Sequence, residues 1–168
     1  MKKFELTEEF VTNSFGNRLF RIRALEAFGD VKAGEVGGFL EKEENLAHDG
    51  TAWVCGNAKV YENAEVCGDA KVWGGAKVCG NAEVWGDAEV YGNLDYTYIH
   101  GFGSEQRTTT FYRQKDGTVG VKCGCFTGNL QEFREKVKET HRSSKYAEEY
   151  LMIADLMELH FKEEQENG

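Results

Sequence analysis

The sequence contains no proline, no long apolar run and only four histidines. Without proline, the turns have to be made by other turn-forming residues, above all glycine, asparagine and aspartate. No run of eighteen apolar residues occurs, so a transmembrane helix is not expected. Residues 1–5 lack the apolar core of a signal peptide, and we therefore expect a cytoplasmic protein.

Basic residues are outnumbered, with 20 lysines and arginines against 29 aspartates and glutamates and a net charge of -9. Binding nucleic acid in general requires a basic surface that neutralises phosphates, so this class of function is excluded. The five cysteines are interpreted as reduced thiols, because disulfides rarely persist in the cytoplasm. A zinc pair at Cys123 and Cys125 would need His100 and His141 as further ligands. Buried apolar cysteines are the favoured alternative, and we predict no metal and no cofactor.

One strict repeat dominates residues 51–93, with the unit Gly, Asn or Asp, Ala, any residue, Val, and then Tyr, Trp or Cys. Alanine recurs every six residues, at Ala52, Ala58, Ala64, Ala70, Ala76, Ala82 and Ala88. Valine follows two positions later each time, at Val54, Val60, Val66, Val72, Val78, Val84 and Val90. A fixed period of this kind is typical of a β-solenoid made of stacked repeats.

The spacing within the unit predicts which side chains point inward. Alanine and valine, two residues apart, lie on the same side of a short extended segment, and the residue between them faces water. Glycine with asparagine or aspartate makes the bend. The unit resembles that of hexapeptide-repeat proteins, which form left-handed β-helices with three hexapeptides, or eighteen residues, in one coil.

An eighteen-residue coil would stack residues into columns on the outer surface. The predicted columns are Cys55 with Trp73 and Tyr91, Tyr61 with Cys79, and Cys67 with Trp85. Trp73, Tyr91 and Trp85 would then expose more ring surface than a short monomeric solenoid needs. We therefore predict a homo-oligomer, with a trimer favoured.

Upstream of the repeat, Leu40 and Leu46 are in phase with the alanines and Val36 with the valines, so the β-helix is predicted to begin near Asp30. The predicted domains are an N-terminal β cap at 1–29, the β-helix at 30–93 and a C-terminal α+β domain at 94–168. A cap is expected because an open coil leaves unpaired backbone groups that favour aggregation.

Within the predicted cap, residues 16–17 make a turn and the next strand alternates. Phe20, Ile22 and Ala24 are expected on one face, and Arg21 and Arg23 on the other. Arg21 and Arg23 are a second candidate anion site. The alternative is that both arginines are paired with glutamate or aspartate.

The C-terminal part is predicted to be a three-stranded antiparallel meander covered by two helices. Extended runs at 96–99 and 108–112 are followed by a returning strand in which Val119, Val121, Cys123 and Cys125 alternate with small or polar residues. Asn129 and Glu132 form a capping box for a helix at 130–140, and Ser144 caps a second helix of about sixteen residues.

The candidate site is the glycine-rich segment between the first two of these strands. Its glycines allow the backbone to approach an anion, its hydroxyls donate, an arginine matches phosphate, and neighbouring aromatic rings can stack on a base. The candidate ligand-binding residues are His100, Gly101, Gly103, Ser104, Arg107, Thr108, Thr109 and Tyr112. The segment is neither a Walker motif nor a GxGxxG loop, and no nucleophile triad is evident.

The layout as a whole resembles hexapeptide-repeat proteins of bacteriophages and prophages. The resemblance rests on the opening Lys-Lys-Phe-Glu-Leu, the Gly-Asn-Ala and Gly-Asp-Ala repeats, and the closing Cys-Gly-Cys-Phe-Thr-Gly with Glu-Thr-His on the next helix. The repeat alone is also similar to that of hexapeptide acyltransferases, which usually assemble as trimers and use a histidine near the subunit junction.

These observations lead to one favoured function and two alternatives. The favoured function is a non-enzymatic protein of the host cytoplasm that sequesters a small phosphate-bearing, nucleotide-type ligand or a host defence component. One alternative is an acyltransferase-like enzyme with His100 as its base, although a lone histidine is more often structural. The other is a purely structural or oligomerisation protein.

Overall fold

The structure, a computed structural model, describes residues 1–163, and residues 164–168 of the predicted C-terminal domain lie outside the described part. The chain is mainly β, with two α-helices at its C-terminal end. The first ten strands are β1 (Phe4–Thr12), β2 (Arg18–Ala24), β3 (Val36–Leu40), β4 (Trp53–Val54), β5 (Lys59–Val60), β6 (Glu65–Val66), β7 (Lys71–Val72), β8 (Lys77–Val78), β9 (Glu83–Val84) and β10 (Glu89–Val90). They are followed by β11 (Tyr96–Phe102), β12 (Arg107–Arg113), β13 (Val119–Cys123), β14 (Phe126–Asn129), α1 (Leu130–His141) and α2 (Lys145–His160).

Strands β4 to β10 form the repeat segment, and each of them comes from one hexapeptide. Each pairs in parallel with the strand eighteen residues away, so that Val72, for example, lies between Val54 and Val90. Three sets of parallel strands result, β4-β7-β10, β5-β8 and β6-β9. The eighteen-residue stacking is therefore confirmed, whereas the left-handed winding stays a prediction.

The interior of the repeat segment consists of its alanines and valines. All seven alanines and all seven valines named above have no solvent-accessible surface. The residue between them is half-buried or exposed in every unit except the first, where Trp53 is buried. The predicted alternation of inward and outward side chains is confirmed.

The phase of the first coil differs from the prediction. Leu40 and Leu46 each pair with a valine that is twenty residues later, not eighteen. Both leucines therefore occupy valine positions, and their predicted phase with the alanines is wrong. Val36, predicted to point inward, is 56% exposed. The cause is a two-residue insertion. Leu46 and Val54 are eight positions apart, whereas successive valines of the repeat are six positions apart.

The N-terminal hairpin covers the edge of one face of the repeat segment. β1 pairs antiparallel with β2, and β2 pairs antiparallel with β3, which gives a five-stranded sheet in the order β1-β2-β3-β5-β8. Gly16 makes the predicted turn with φ of +87°. Ile22 and Ala24 are buried in the core of the repeat segment, as the alternation predicts, whereas Phe20 is only half-buried. On the opposite face, which carries Arg21, Leu19 is also buried because it packs against Phe39.

Side-chain donors close the N-terminal end of the repeat segment. Within the segment, each strand donates its N–H groups to carbonyls of the following coil, so the carbonyls of the first coil lack donors wherever no strand precedes them. The buried Lys3 ammonium donates to the carbonyl of Ala52 at 2.9 Å. The buried Asn45 amide donates to the carbonyls of Glu62 and Ala64, at 3.2 and 2.8 Å.

Side-chain acceptors close the opposite end. The N–H groups of the last coil have no following coil and donate to side-chain oxygens of the residues that follow the repeat. These bonds join Lys77 N–H to Asn93 Oδ1 (2.8 Å), Cys79 N–H to the Tyr96 hydroxyl (3.3 Å) and Glu83 N–H to Thr110 Oγ1 (2.9 Å). The C-terminal domain is thereby attached to the repeat segment through hydrogen bonds at the strand edge.

The C-terminal sheet has four antiparallel strands in the order β11-β12-β13-β14, so the predicted three-stranded meander is wrong. The predicted third strand ends at Cys123, which pairs with Phe126 across a turn formed by Gly124 and Cys125. Gly124 has φ of +57°, a conformation that glycine adopts without steric cost. This turn reverses the chain and creates β14.

Two helices cover one face of this sheet, as predicted. α1 begins after Asn129, whose Oδ1 accepts from Glu132 N–H at 2.8 Å while Glu132 Oε2 accepts from Asn129 N–H at 3.0 Å. α2 begins after Ser144. Phe133 and Tyr150 pack against Phe111 of β12 in a second apolar core. Within residues 1–163, no helix is both long enough and apolar enough to cross a bilayer.

The outer columns are present but less exposed than predicted. Trp73 stacks on Tyr91 with ring centroids 4.3 Å apart. Tyr91 is 52% exposed, whereas Trp73 and Trp85 are half-buried. The trimer inferred from these rings stays a prediction.

Buried acidic groups in the columns predict that stability falls at alkaline pH. Burial raises the pKa of the Cys67 thiol from 9.0 to about 11, and that of the Tyr61 hydroxyl from 10.0 to about 12. Between about pH 9 and 11 the unfolded chain therefore loses the Cys67 proton first, and the free energy of unfolding decreases as pH rises through this window.

We expect urea unfolding to show a loss of about 1–2 kcal/mol between pH 8 and pH 10.5 from Cys67 alone. A Cys67→Val variant should show a correspondingly smaller loss over the same interval. If wild type and variant have the same pH dependence, Cys67 does not contribute.

Candidate functional site

The predicted glycine-rich segment is the hairpin of β11 and β12, with its turn at residues 103–106. Successive side chains of a strand point to opposite faces, so the predicted donors cannot all meet. Thr110 and Tyr112 face the repeat segment. Thr109 and Phe111 face the opposite side, towards β13 and the helices.

Two of the predicted residues are shielded from any ligand. Tyr112 is fully buried in the core of the repeat segment, and this burial raises the pKa of its hydroxyl. Thr109 is also fully buried, and its Oγ1 donates to Cys123 Sγ at 3.2 Å. The structure therefore does not bring Tyr112 or Thr109 to a binding surface.

The first part of the hairpin is solvent-facing. His100 and Thr108 lie opposite each other on exposed or half-exposed backbone, with His100 Nδ1 2.9 Å from Thr108 Oγ1. Gly101 is exposed with φ of +91°. Gly103 is buried, its N–H lies 3.5 Å from a carboxylate oxygen of Glu149, and a side chain at this position would collide with the Tyr150 hydroxyl. Gly103 is thus needed for close packing of the hairpin against α2.

Two predicted residues, Ser104 and Arg107, line a cavity of about 300 Å³. This cavity, which we call the hairpin cavity, lies between the β11–β12 turn, the β13–β14 turn and the C-terminal half of α1. α1 contributes Lys136, Thr140 and His141. The polar side therefore combines one arginine, one lysine, one imidazole and two hydroxyls with the Glu105 carboxylate.

The opposite side of the hairpin cavity is apolar. Phe126, Phe133 and Val137 line it, and Phe126 and Phe133 have ring centroids 5.8 Å apart. Tyr150 completes this wall and donates its hydroxyl proton to the Phe102 carbonyl at 3.2 Å. Burial raises the pKa of Tyr150 to about 12, so its hydroxyl stays protonated at neutral pH.

Arg107 lies against the β13–β14 turn. Its guanidinium lies so close to Gly124 that a Cβ at that position would collide with it. The Glu105 carboxylate is 4.0 Å from Arg107 Nη2, and the Arg107 side chain is 46% exposed. The guanidinium therefore lies against this turn at the rim and remains accessible to a ligand.

The residues of α1 were missed by sequence reasoning, although the helical spacing contains the signal. The apolar stripe that includes Phe133 and Val137 continues four residues later at His141. Lys136 and Thr140 share the neighbouring stripe with the same spacing. A polar continuation of a buried stripe at the end of a helix indicates that this end borders a cavity.

The second candidate anion site is already occupied by carboxylates of the N-terminal hairpin. Arg21 Nη2 lies 3.3 Å from Glu9, and Arg23 forms an ion pair with Glu5. The Arg21 guanidinium also stacks over the Phe39 ring at 4.1 Å. Both positive charges are thereby neutralised within the cap.

Two smaller cavities, of about 150 and 250 Å³, lie on the repeat segment and share Asp30, Thr51 and Lys71. Lys71 is bound to Asp30 at 2.8 Å, and Asp69 and Asp87 add further negative charge. These cavities therefore disfavour an anionic ligand. In the described part of the chain, no cluster of three or more histidine, cysteine, aspartate or glutamate side chains is arranged to hold a metal ion.

No protein-family model matches this chain, and no curated protein matches it either.

Proposed function

We propose that this chain is a non-enzymatic binding protein that holds a small phosphate-bearing ligand in the hairpin cavity. The observation that supports it most directly is the placement of Arg107 and Lys136 opposite an aromatic wall. Arginine forms charge-assisted hydrogen bonds with phosphate through its planar fork, and aromatic rings stack on a base. The two sides of the cavity match the two parts of a nucleotide.

The charge distribution supports an anionic ligand. The whole chain has a net charge of -9, which repels anions from most of its surface. Among the cavity-lining residues, Arg107 and Lys136 outnumber the single carboxylate, Glu105. Lys136 is also paired with Glu139 at 3.2 Å on the exposed face of α1, so Arg107 is the principal phosphate contact.

The size of the hairpin cavity supports a ligand no larger than a mononucleotide. Its volume of about 300 Å³ is at the lower end of the roughly 300–1,000 Å³ that ligand pockets occupy. The half-buried Phe126 ring is the side chain that we propose stacks on the base. A dinucleotide would leave one half outside the cavity.

A binding role is favoured over catalysis by the surroundings of the histidines. In residues 1–163, no hydrogen bond joins His141 to a hydroxyl or thiol that it could activate. His100, the base required by the acyltransferase alternative, contacts Thr108 on the solvent-facing part of the hairpin. We propose ligand sequestration, on a left-handed β-helix of the phage type that the sequence resembles.

Arg107→Ala is expected to weaken ligand binding about ten- to a hundredfold, because a charge-assisted, bidentate contact contributes roughly 1.5–3 kcal/mol. Folding should be unaffected, since the side chain is 46% exposed. Isothermal titration calorimetry with nucleoside mono- and diphosphates, cyclic nucleotides and inorganic phosphate measures the effect.

The matched controls are Lys115→Ala, which removes a cation from the β12–β13 turn outside the hairpin cavity, and Arg107→Lys, which keeps the charge but loses the fork. Lys115→Ala should bind as wild type does, and Arg107→Lys should be intermediate. No heat with any of these compounds in the wild type, or equal affinity in all four proteins, would contradict the proposal.

A further inference from the structure

Two cysteines flank the bend of the β13–β14 turn. Cys123 is the last residue of β13, Gly124 and Cys125 form the turn, and Phe126 is the first residue of β14. Both thiols are free, with Cys123 half-buried and Cys125 exposed. The interpretation of this pair as buried apolar residues is therefore wrong for Cys125. Both side chains line the hairpin cavity, so the two thiols border the same space.

The spacing of the two cysteines meets the distance requirement of a disulfide. They are two positions apart, on either side of Gly124, whose φ of +57° bends the chain. Consecutive Cα atoms are about 3.8 Å apart, so three of them around a bend span roughly 5.5–6.5 Å. Disulfides join residues whose Cα atoms are about 4.4–6.8 Å apart. A bridge therefore requires side-chain rotation and a small movement of the turn.

The two thiols differ in their accessibility. Cys123 Sγ accepts a hydrogen bond from Thr109 Oγ1 at 3.2 Å and lies 3.9 Å from the Tyr150 hydroxyl, on the inner side of the sheet. Cys125 is open to solvent at the rim of the cavity. In oxidisable cysteine pairs, an accessible thiol reacts first and a neighbouring thiol resolves the product.

We propose that Cys123 and Cys125 are an oxidisable dithiol, with a low-molecular-weight disulfide such as glutathione disulfide as the oxidant. The Cys125 thiolate attacks one sulfur of the oxidant, whose disulfide bond breaks, and one glutathione thiolate leaves. The Cys123 thiolate then attacks the Cys125 sulfur and releases the second glutathione. Two protein thiols are thereby oxidised to a disulfide, the oxidant is reduced to two thiols, and the two protons pass to the leaving thiolates.

The three cysteines of the repeat segment lack this arrangement. Cys55, Cys67 and Cys79 are half-buried, and burial raises the pKa of the Cys55 and Cys67 thiols, which lowers the reactive thiolate fraction. Successive members are twelve residues apart, whereas the stacked strands pair residues that are eighteen apart, so no two of them share a column. Oxidation is therefore expected to select the pair at the turn.

The charges around the pair favour an anionic oxidant. Glutathione disulfide carries more carboxylates than ammonium groups at neutral pH. Arg107 and Lys136 line the hairpin cavity together with the two thiols, and Glu105 is the single carboxylate among the lining residues. The cavity therefore attracts the oxidant, although the chain as a whole is acidic.

The bridge is expected to weaken ligand binding in the same cavity, a consequence that rests on the proposed function. The Arg107 guanidinium lies against Gly124, and the Lys122 ammonium donates to the Gly124 carbonyl. Drawing Cys125 towards Cys123 moves this turn and the guanidinium that lies against it. We expect the bridged protein to bind nucleoside monophosphates about tenfold more weakly, the lower end of the loss expected for Arg107→Ala.

Peptide mapping tests the bridge without any ligand. Trypsin cleaves after Lys122 and Arg134, so one peptide contains Cys123 and Cys125 and none of the other cysteines. The folded protein is treated with glutathione disulfide at about pH 8, quenched with acid, and alkylated in denaturant before digestion. In the wild type, we expect this peptide to be unalkylated and lighter than its reduced form by two hydrogen atoms, while the other cysteines are alkylated.

Serine variants assign the two roles. Cys123→Ser should retain one glutathione on this peptide, because no second thiol resolves the mixed disulfide. Cys125→Ser should form its mixed disulfide at least about tenfold more slowly than Cys123→Ser, because its remaining thiol is half-buried. The matched control is Cys79→Ser, which removes a half-buried cysteine of the repeat segment and should form the bridge as the wild type does.

Two alkylated cysteines on this peptide in the treated wild type would overturn the inference, as would a bridge to a cysteine of the repeat segment. Calorimetry with nucleoside monophosphates then compares the reduced and bridged wild type. Equal affinity of the two forms would show that the bridge does not control the cavity. Absence of binding by the reduced protein would contradict the proposed function, whereas the bridge is judged by peptide mapping alone.

Discussion

Val72→Asp is expected to lower the free energy of unfolding by at least about 4 kcal/mol, because it places a carboxylate where no solvent or donor can reach it. Val72 has no accessible surface and lies between Val54 and Val90 in adjacent coils. The loss is comparable to the whole stability of many domains, about 5–15 kcal/mol, so much of the variant should be unfolded.

Urea denaturation followed by circular dichroism measures this effect. The control is Lys77→Asp, which introduces the same side chain at an exposed outward position of β8. It should change the free energy of unfolding by no more than about 1 kcal/mol. Equal destabilisation by both substitutions would show that the interior assignment is wrong.

Asn45→Leu is expected to cost about 2–4 kcal/mol, because it leaves buried backbone groups without partners. The Asn45 side chain is fully buried, donates to the carbonyls of Glu62 and Ala64, and accepts from Lys42 N–H at 2.9 Å. Leucine has a similar volume but satisfies none of these groups. The difference should appear as a lower urea midpoint with an unchanged slope.

Asn63→Leu is the matched control for this substitution. Asn63 is exposed, and its amide contacts the Asn81 side chain at 3.2 Å on the surface of the repeat segment. Its replacement should change the free energy of unfolding by less than about 0.5 kcal/mol. If Asn45→Leu were equally silent, the amide of Asn45 would not be closing the strand edge.

The repeat segment could be predicted almost residue by residue, since one period determines both the inward alternation and the stacking partner eighteen residues away. The same reasoning failed at Leu40 and Leu46, where the insertion before Val54 changes the phase. Periodicity is informative only while the period continues. The two-residue insertion can be seen in the sequence only by counting the six-residue period backwards from the regular repeats.

The candidate site was predicted less completely, because a list of suitable residue types on one strand does not state which face each occupies. The alternation of β12 sends Tyr112 into the core of the repeat segment and leaves Arg107 at the hairpin cavity. The fourth strand also changes the site, since the Arg107 guanidinium lies against the Gly124 turn that precedes this strand. The second basic side chain of the cavity, Lys136, comes from α1, about thirty positions away in sequence.

Side-chain donors close one end of the repeat segment and side-chain acceptors close the other. The two ends therefore differ in their hydrogen-bonding chemistry. Without Lys3 and Asn45, the bare carbonyls of one molecule would match the bare N–H groups that Asn93, Tyr96 and Thr110 now bind in another. Such a head-to-tail contact has no closing symmetry and would continue into a fibre. The two sets of capping side chains therefore occupy the backbone groups through which such growth would start. Because they contact the first and last coils, the number of coils between them can change without loss of this protection.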